Sequence, residues 1–238
     1  MTQVVDRVRA ALASEPRLDL HKFPIELSYA EGSLTLEGEV GDIAAKKLAL
    51  ERAAALPEVT GILDRLRVRP AQRMGDGQIR DLVRDALLQE PAFADFAITE
   101  RFGERVEMMR APPEARGAIE LEVEDGVVTL NGQVPGLDDK RLAGVLAWWI
   151  PGSRDVINGI AVEPPEDDSD DAILEAVRLV LEKDPFVDAS QIRVGVKNAL
   201  VRLTGAVTSD AEREMAEFDA WYVFGVDKVD NRIEVHRG

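Results

Sequence analysis

The chain has 238 residues, no cysteine and a net charge of −16 at neutral pH. Without cysteine, disulfides, thiolate metal sites and thiol nucleophiles are excluded. The acidic balance repels phosphate groups, so we expect no nucleic-acid partner. The amino-terminal segment carries charges where a secretory signal would be apolar, and no apolar run is long enough to span a membrane. The sequence therefore predicts a cytoplasmic protein.

An internal repeat organises the chain. Residues 25–38, 119–132 and 192–205 align without a gap, and each segment alternates apolar and polar residues around a turn before a closing glycine. A repeat of this kind is typical of tandem modules. We predict three modules: residues 1–70, residues 75–163 with an insertion at about 92–118, and residues 170–238.

The first module illustrates the predicted order of elements. A helix with an apolar stripe ends at Pro16, because proline has no N–H to donate and restricts the residue before it. Residues 25–38 form a hairpin, a second helix covers residues 42–56, and a last strand covers residues 61–68. The second helix then acts as a crossover, so the last strand lies parallel to the second one. The predicted fold class is α/β, an α+β sandwich in which two helices cover a three-stranded mixed sheet.

The second module follows the same plan but contains an insertion. The stretch between Pro91 and Ile119 is far longer than the matching stretches of the other modules, and it contains Phe102, Met108 and Met109. A long loop with this content is not typical of simple disorder. We interpret residues 97–109 as an added strand or hairpin that covers a sheet edge, with a ligand lid as the alternative.

The third module begins after the acidic linker at residues 164–171. These acids could attract a divalent cation, but acid before a helix is more often a cap, so we expect no metal and no cofactor. The acids before the three prolines, Glu15, Glu90 and Asp184, are interpreted as solvated helix ends. Each sheet has one face without helices, and packing of modules sheet to sheet would cover it, for which Val194 and Val196 are suited.

The modules together resemble the BON domain family. The resemblance rests on the acid-proline helix end, on the hairpins that close at Gly38, Gly132 and Gly205, and on the polar residue of each last strand, Asp64, Asn158 and Asn231. It covers nearly the whole chain outside the linkers and the insertion. The resemblance implies a sandwich of this strand order, no catalysis, and attachment to phospholipid membranes or other envelope components.

The second helices of modules two and three differ from that of module one. At 100° per residue, Trp148 and Trp221 lie opposite the core face, where module one has Ala54. Two interpretations remain open: the two modules bury these tryptophans against each other or against the insertion, or the residues form an adhesive surface for protein or lipid. The candidate surface consists of Leu137, Val145, Trp148, Phe218 and Trp221.

The sequence contains no nucleophile beside a base and no phosphate-binding loop. We therefore predict a binding or assembly protein without enzymatic activity, with a protein partner or self-association. Attachment to membrane lipid through the tryptophan-bearing helices and sensing of an ion or small ligand are the alternatives.

Overall fold

A computed structural model describes residues 2–236 of the chain. The chain divides into two compact units, Met1–Ala71 and Gln72–Gly238. The first unit holds module one, and the second holds modules two and three.

Module one contains five elements, in the predicted order: α1 (Thr2–Ala13), β1 (Ile25–Ala30), β2 (Ser33–Val40), α2 (Ile43–Ala54) and β3 (Gly61–Val68). The sheet order is β1-β2-β3, with β1 antiparallel and β3 parallel to β2. This confirms the predicted mixed sheet. Asp42 caps α2 as expected, because its side chain accepts a hydrogen bond from the Ala45 N–H at 2.8 Å.

Steric crowding explains why each hairpin ends in a glycine. Gly38, Gly132 and Gly205 have φ angles of 147°, 122° and 139°, which L side chains rarely adopt. A Cβ atom at Gly132 would lie 2.1 Å from the Ala118 carbonyl oxygen. The backbones of the two paired strands approach so closely at this position that only glycine fits.

Module two contains eight elements: α3 (Asp76–Gln89), β4 (Phe96–Phe102), β5 (Arg105–Arg110), β6 (Gly117–Glu124), β7 (Val127–Val134), α4 (Leu137–Trp148), β8 (Asp155–Asn158) and β9 (Ala161–Val162). Strands β6, β7 and β8 correspond to the three strands of module one. The predicted last strand is interrupted between β8 and β9, where Ile160 turns into the core with 1% exposure.

The insertion is an added hairpin, as predicted. Its strands β4 and β5 extend the sheet to the order β5-β4-β6-β7-β8, and β4 pairs in parallel with β6. Phe96 and Ile98 of β4 are fully buried in the module core with Ile119 of β6. The hairpin therefore covers the outer edge of β6. In module one the corresponding strand, β1, is itself the edge strand of the sheet.

Module three returns to five elements: α5 (Asp170–Lys183), β10 (Ile192–Lys197), β11 (Leu200–Val207), α6 (Asp210–Tyr222) and β12 (Lys228–Val235). Its sheet has the order β10-β11-β12 with the same pairing directions as in module one.

The expectation of sheet-to-sheet packing is wrong for modules two and three. These modules meet through helices, since α4 contacts both α5 and α6. Val194 and Val196 share the face of buried Ile192 and so point toward the helices, whereas Arg193 and Lys197 are exposed on the other face. The free face of this sheet is polar and does not need an apolar cover.

Candidate functional site

The contact between modules two and three contains Trp148 and Trp149, two of the three tryptophans of the chain. The ring of Trp148, at the end of α4, stacks on Tyr222 of α6 with centroids 5.4 Å apart and an angle of 13° between the planes. Trp221 is 1% exposed. Aromatic stacking of this kind adds to the burial of apolar area, so this pair stabilises the contact.

Trp149 joins the same two helices through a polar contact. Its indole Nε1–H donates a hydrogen bond of 2.8 Å to Oδ1 of Asp219 on α6. Asp219 is 1% exposed, and burial raises the pKa of its carboxyl from 3.8 to about 8, with a smaller contribution from Asp184, while the Trp149 hydrogen bond opposes the shift. The carboxyl of Asp219 is therefore mostly protonated at pH 7.

Arg141 is a contact residue that the sequence reasoning missed. It lies on α4 with 1% exposure, donates from Nε to the Phe224 carbonyl at 2.9 Å, and forms an ion pair with Asp168 of the linker. Lys140, its neighbour, lies over the ring of Phe224 at 4.6 Å. The sequence contained a signal for this role. Arg141 is a cation directly before a run of apolar residues, and the acidic linker that contains its partner Asp168 follows later in the chain.

Two of the acids before the prolines are buried and Glu90 is half-buried, and all three accept hydrogen bonds, so their interpretation as solvated helix ends is wrong. Glu15 and Asp184 are 7% and 6% exposed. Asp184 accepts a hydrogen bond from the Phe186 N–H at 2.8 Å, and Glu90 accepts one from Ala92 at 3.1 Å. Proline offers no N–H, so the side chain folds over it to the next free donor. Glu90 also accepts from Lys183 of module three at 2.9 Å.

The linker acids serve the fold. Ser169 caps α5, and Asp168 holds Arg141. Asp170 accepts hydrogen bonds from both turn amides of the β10–β11 hairpin, Asn198 at 2.7 Å and Ala199 at 2.9 Å, which lower its pKa. Asp76 occupies the same repeat position and binds the corresponding turn amides in module two.

The predicted outward surface does not exist in this arrangement. Leu137, Val145 and Trp221 are 9%, 0% and 1% exposed, and Trp148 and Phe218 are half-buried. Trp148 stacks on Tyr222 of module three. Trp221 donates to Glu217 of its own helix, and Glu217 accepts from Asn231 of β12, so Trp221 lies on the side of α6 that contacts its own sheet and its predicted outward position is wrong. Ala54, at the same position in module one, is exposed.

The three insertion residues have different surroundings. Phe102 is 36% exposed and lies under the guanidinium of Arg80 at 4.3 Å, whereas Met108 is 60% exposed. Met109 packs against the module core. They therefore do not form one apolar patch.

The polar residue of each last strand ties that strand to the second helix. Asn158 donates to the Lys140 carbonyl at 2.7 Å, and Asn231 donates to the Arg213 carbonyl at 3.0 Å. Asp64 cannot donate as a carboxylate, and it pairs instead with Lys46 at 2.9 Å.

Cavities lie at the contact between modules two and three and, separately, in module one. One of about 230 Å³ lies between α4 and α5, with Arg141 and Glu175 in its wall. The other, of about 280 Å³, lies in module one beside Arg17, Lys22 and Arg69. Within residues 2–236, no cluster of acidic and histidine side chains could hold a metal ion, and no helix is both long and apolar enough to cross a membrane.

These features define a class of protein, a tandem array of small α/β sandwiches in which two modules are joined by their helices. The model of the BON domain family matches residues 2–70, 94–164 and 169–237. The chain therefore belongs to the BON domain family, with three tandem domains.

The chain is also similar to two solved structures from Chlamydia trachomatis. One is of CdsD, a structural protein of the type III secretion system, and the other is of the C-terminal domain of CdsD. Both are 15% identical and cover 99% of this chain, which spans 93% and 98% of theirs, with a TM-score of 0.26 in each case. A likeness at this score carries no argument about the present chain. No curated protein sequence matches it.

Proposed function

We propose that this chain is a non-catalytic assembly protein, in which modules two and three form one unit that presents its sheet faces to protein partners. The observation that carries this proposal is the contact of α4 with α5 and α6. Because the apolar surfaces of these helices pack against each other, they are not available to a partner. Membership of the BON domain family fits a binding or assembly role.

What remains for a partner is the helix-free side of each sheet. These sides are polar and charged, and they include isolated exposed apolar residues, Leu63 in module one and Ile157 in module two, at 47% and 49% exposure. A polar surface with a few apolar anchors is typical of protein interfaces that form between separately folded proteins.

Attachment to phospholipid through the tryptophan-bearing helices is less well supported. Trp221 would have to leave a site in which it is 1% exposed, and Trp148 would lose its stack on Tyr222. Insertion of the Trp148 ring into a bilayer would require α4 to separate from α6.

Site-specific photo-cross-linking in cells tests the proposal. A cross-linking side chain at Leu63 or Ile157 should give discrete protein adducts, and the same group at Leu82, exposed on α3, serves as the control. Adducts with lipid, or no adducts at the sheet positions, would contradict an assembly role through these faces.

A further inference from the structure

The helix-free face of the module-three sheet is basic in an acidic protein. Alternation along β10, β11 and β12 places seven charged side chains on this face: the cations Arg193, Lys197, Arg202, Lys228 and Arg232, and the anions Asp230 and Glu234. We call this set the basic face. It carries a net charge of +3, whereas the whole chain carries −16.

The ion pairs within the basic face leave most of its charge uncompensated. Asp230 lies between two arginines, at 2.9 Å from Arg202 and 3.0 Å from Arg232, and their hydrogen bonds lower its pKa. Arg193 and Lys197 on β10 are both exposed, with Gly195 between them. The outer strand of the sheet therefore presents two cations without an acid on the same strand.

The corresponding face of module two has the opposite charge at aligned positions. Glu120 and Glu124 of β6 occupy the repeat positions of Arg193 and Lys197, and Glu122 occupies that of Gly195. Glu120 is bound by Arg101 of β4 at 2.8 Å, whereas Glu124 is exposed and Glu122 is half-exposed. We call Glu120, Glu122 and Glu124 the acidic face.

The two faces cannot meet within one molecule. Helices α3 and α4 cover the other side of the module-two sheet, α5 and α6 cover the other side of the module-three sheet, and the modules contact each other through these helices. Both faces are thus turned away from the contact. The hairpins of the two faces share one strand register, Ile119 opposite Gly132 and Ile192 opposite Gly205, and carry opposite charge at aligned positions.

We propose that the basic face of one copy docks on the acidic face of a second copy. This rests on the proposed assembly function and names the partner. Because different surfaces meet, the contact is heterologous and can propagate from copy to copy. An extended anionic surface, such as a membrane of acidic lipids, would attract the basic face. It would repel the rest of the chain, because that part carries the negative net charge of the protein.

Sedimentation velocity of the full chain tests this proposal. We expect association at about 20 mM salt that is lost at about 500 mM, because screening shortens the range of charge attraction. Arg193→Glu with Lys197→Glu, and separately Glu122→Lys with Glu124→Lys, should each give a monomer at low salt. Mixing the two variants should restore a complex, because each then offers the charge that the other needs. Glu26→Lys with Glu37→Lys on the module-one sheet is the matched control and should leave association unchanged.

A monomer at low salt, association that survives reversal of Arg193 and Lys197, or a mixture that stays monomeric would overturn the proposal. So would binding of the wild type to anionic vesicles, lost in the same reversal, without self-association. Circular dichroism must show that each variant is folded. If self-association fails while cross-linked protein adducts persist at Leu63 and Ile157, only this inference falls; loss of both removes the assembly function as well.

Discussion

Trp149 donates its indole N–H to the buried carboxyl of Asp219 at 2.8 Å, which links the second helices of two consecutive modules. Burial raises the pKa of the Asp219 carboxyl, and the neighbouring Asp184 carboxyl adds to the shift through its charge and a hydrogen bond. Both effects favour the neutral form of Asp219, so this link depends on pH.

Asp219→Asn should remove a pH dependence of stability. The pKa of Asp219 is raised by burial from 3.8 to about 8, so between these values the folded chain holds a proton that the unfolded chain has lost. The contribution of Asp219 to stability therefore falls as the pH rises from about 4 to about 8. Asparagine keeps the acceptor for Trp149 and does not ionise.

Urea unfolding of the wild type and of Asp219→Asn at pH 5 and pH 7 measures this effect. The difference in free energy of unfolding should shift in favour of the variant by about 1.4 kcal/mol for each pH unit. Parallel profiles would show that Asp219 is ionised in the folded chain.

Arg141→Ala should weaken the contact between modules two and three. The substitution leaves the Phe224 carbonyl and the Asp168 carboxylate without their buried donor, and we expect a loss of about 2 kcal/mol in the free energy of unfolding. Arg178→Ala is the matched control, because Arg178 forms only an exposed ion pair with Glu175 and should cost less than about 0.5 kcal/mol. Equal losses in the two variants would argue against the role of Arg141.

Ile98→Ala should distinguish a structural hairpin from a ligand lid. Ile98 is fully buried, so its truncation should cost about 2–5 kcal/mol of stability through the cavity that it leaves. Met108→Ala, on the neighbouring strand at 60% exposure, should change stability little. Thermal unfolding measures both, and an unchanged melting temperature for Ile98→Ala would favour a lid that is separate from the core.

Ala199→Gly should stabilise module three. Ala199 has a φ angle of 57° in the β10–β11 turn, a left-handed conformation that costs alanine about 1–2 kcal/mol. Glycine relieves this strain but loses more entropy on folding, so the expected net gain is about 1 kcal/mol. Gly126→Ala is the reverse experiment at the aligned position, where φ is 75° and a Cβ atom would lie 2.8 Å from the Arg154 side chain. If both substitutions destabilise, the turn conformation is not the cause.

The elements of each module could be predicted from the sequence because their signals are local. Alternation marks the strands, apolar stripes mark the helices, and Gly38, Gly132 and Gly205 recur at one position. Partners that come from distant parts of the chain could not be predicted. The helical geometry predicted that Trp148 and Trp221 lie away from their own sheets, which is wrong for Trp221, and it left open what covers Trp148.

The structural roles of three charged residues could not be predicted for a related reason. Asp76 and Asp170 occupy aligned positions of the repeat and accept hydrogen bonds from the amides of the hairpin turns. The spacing of apolar residues does not indicate such a role. Arg141 breaks the apolar pattern of its helix, but its partners, Asp168 and Phe224, are 27 and 83 residues away in the chain. The alignment of the repeats was the available signal for Asp76 and Asp170.

Quenching of tryptophan fluorescence tests the central claim, that modules two and three bury their second helices against each other. Trp148 and Trp149 lie at this contact and Trp221 is buried with a hydrogen bond inside α6, so two of the three emitting side chains report on the contact. Acrylamide is the suitable quencher, because the acidic chain repels iodide. We expect blue-shifted emission and quenching far weaker than that of the chain unfolded in urea. Emission and quenching close to those of the unfolded chain would show that the tryptophans face solvent and would contradict the account.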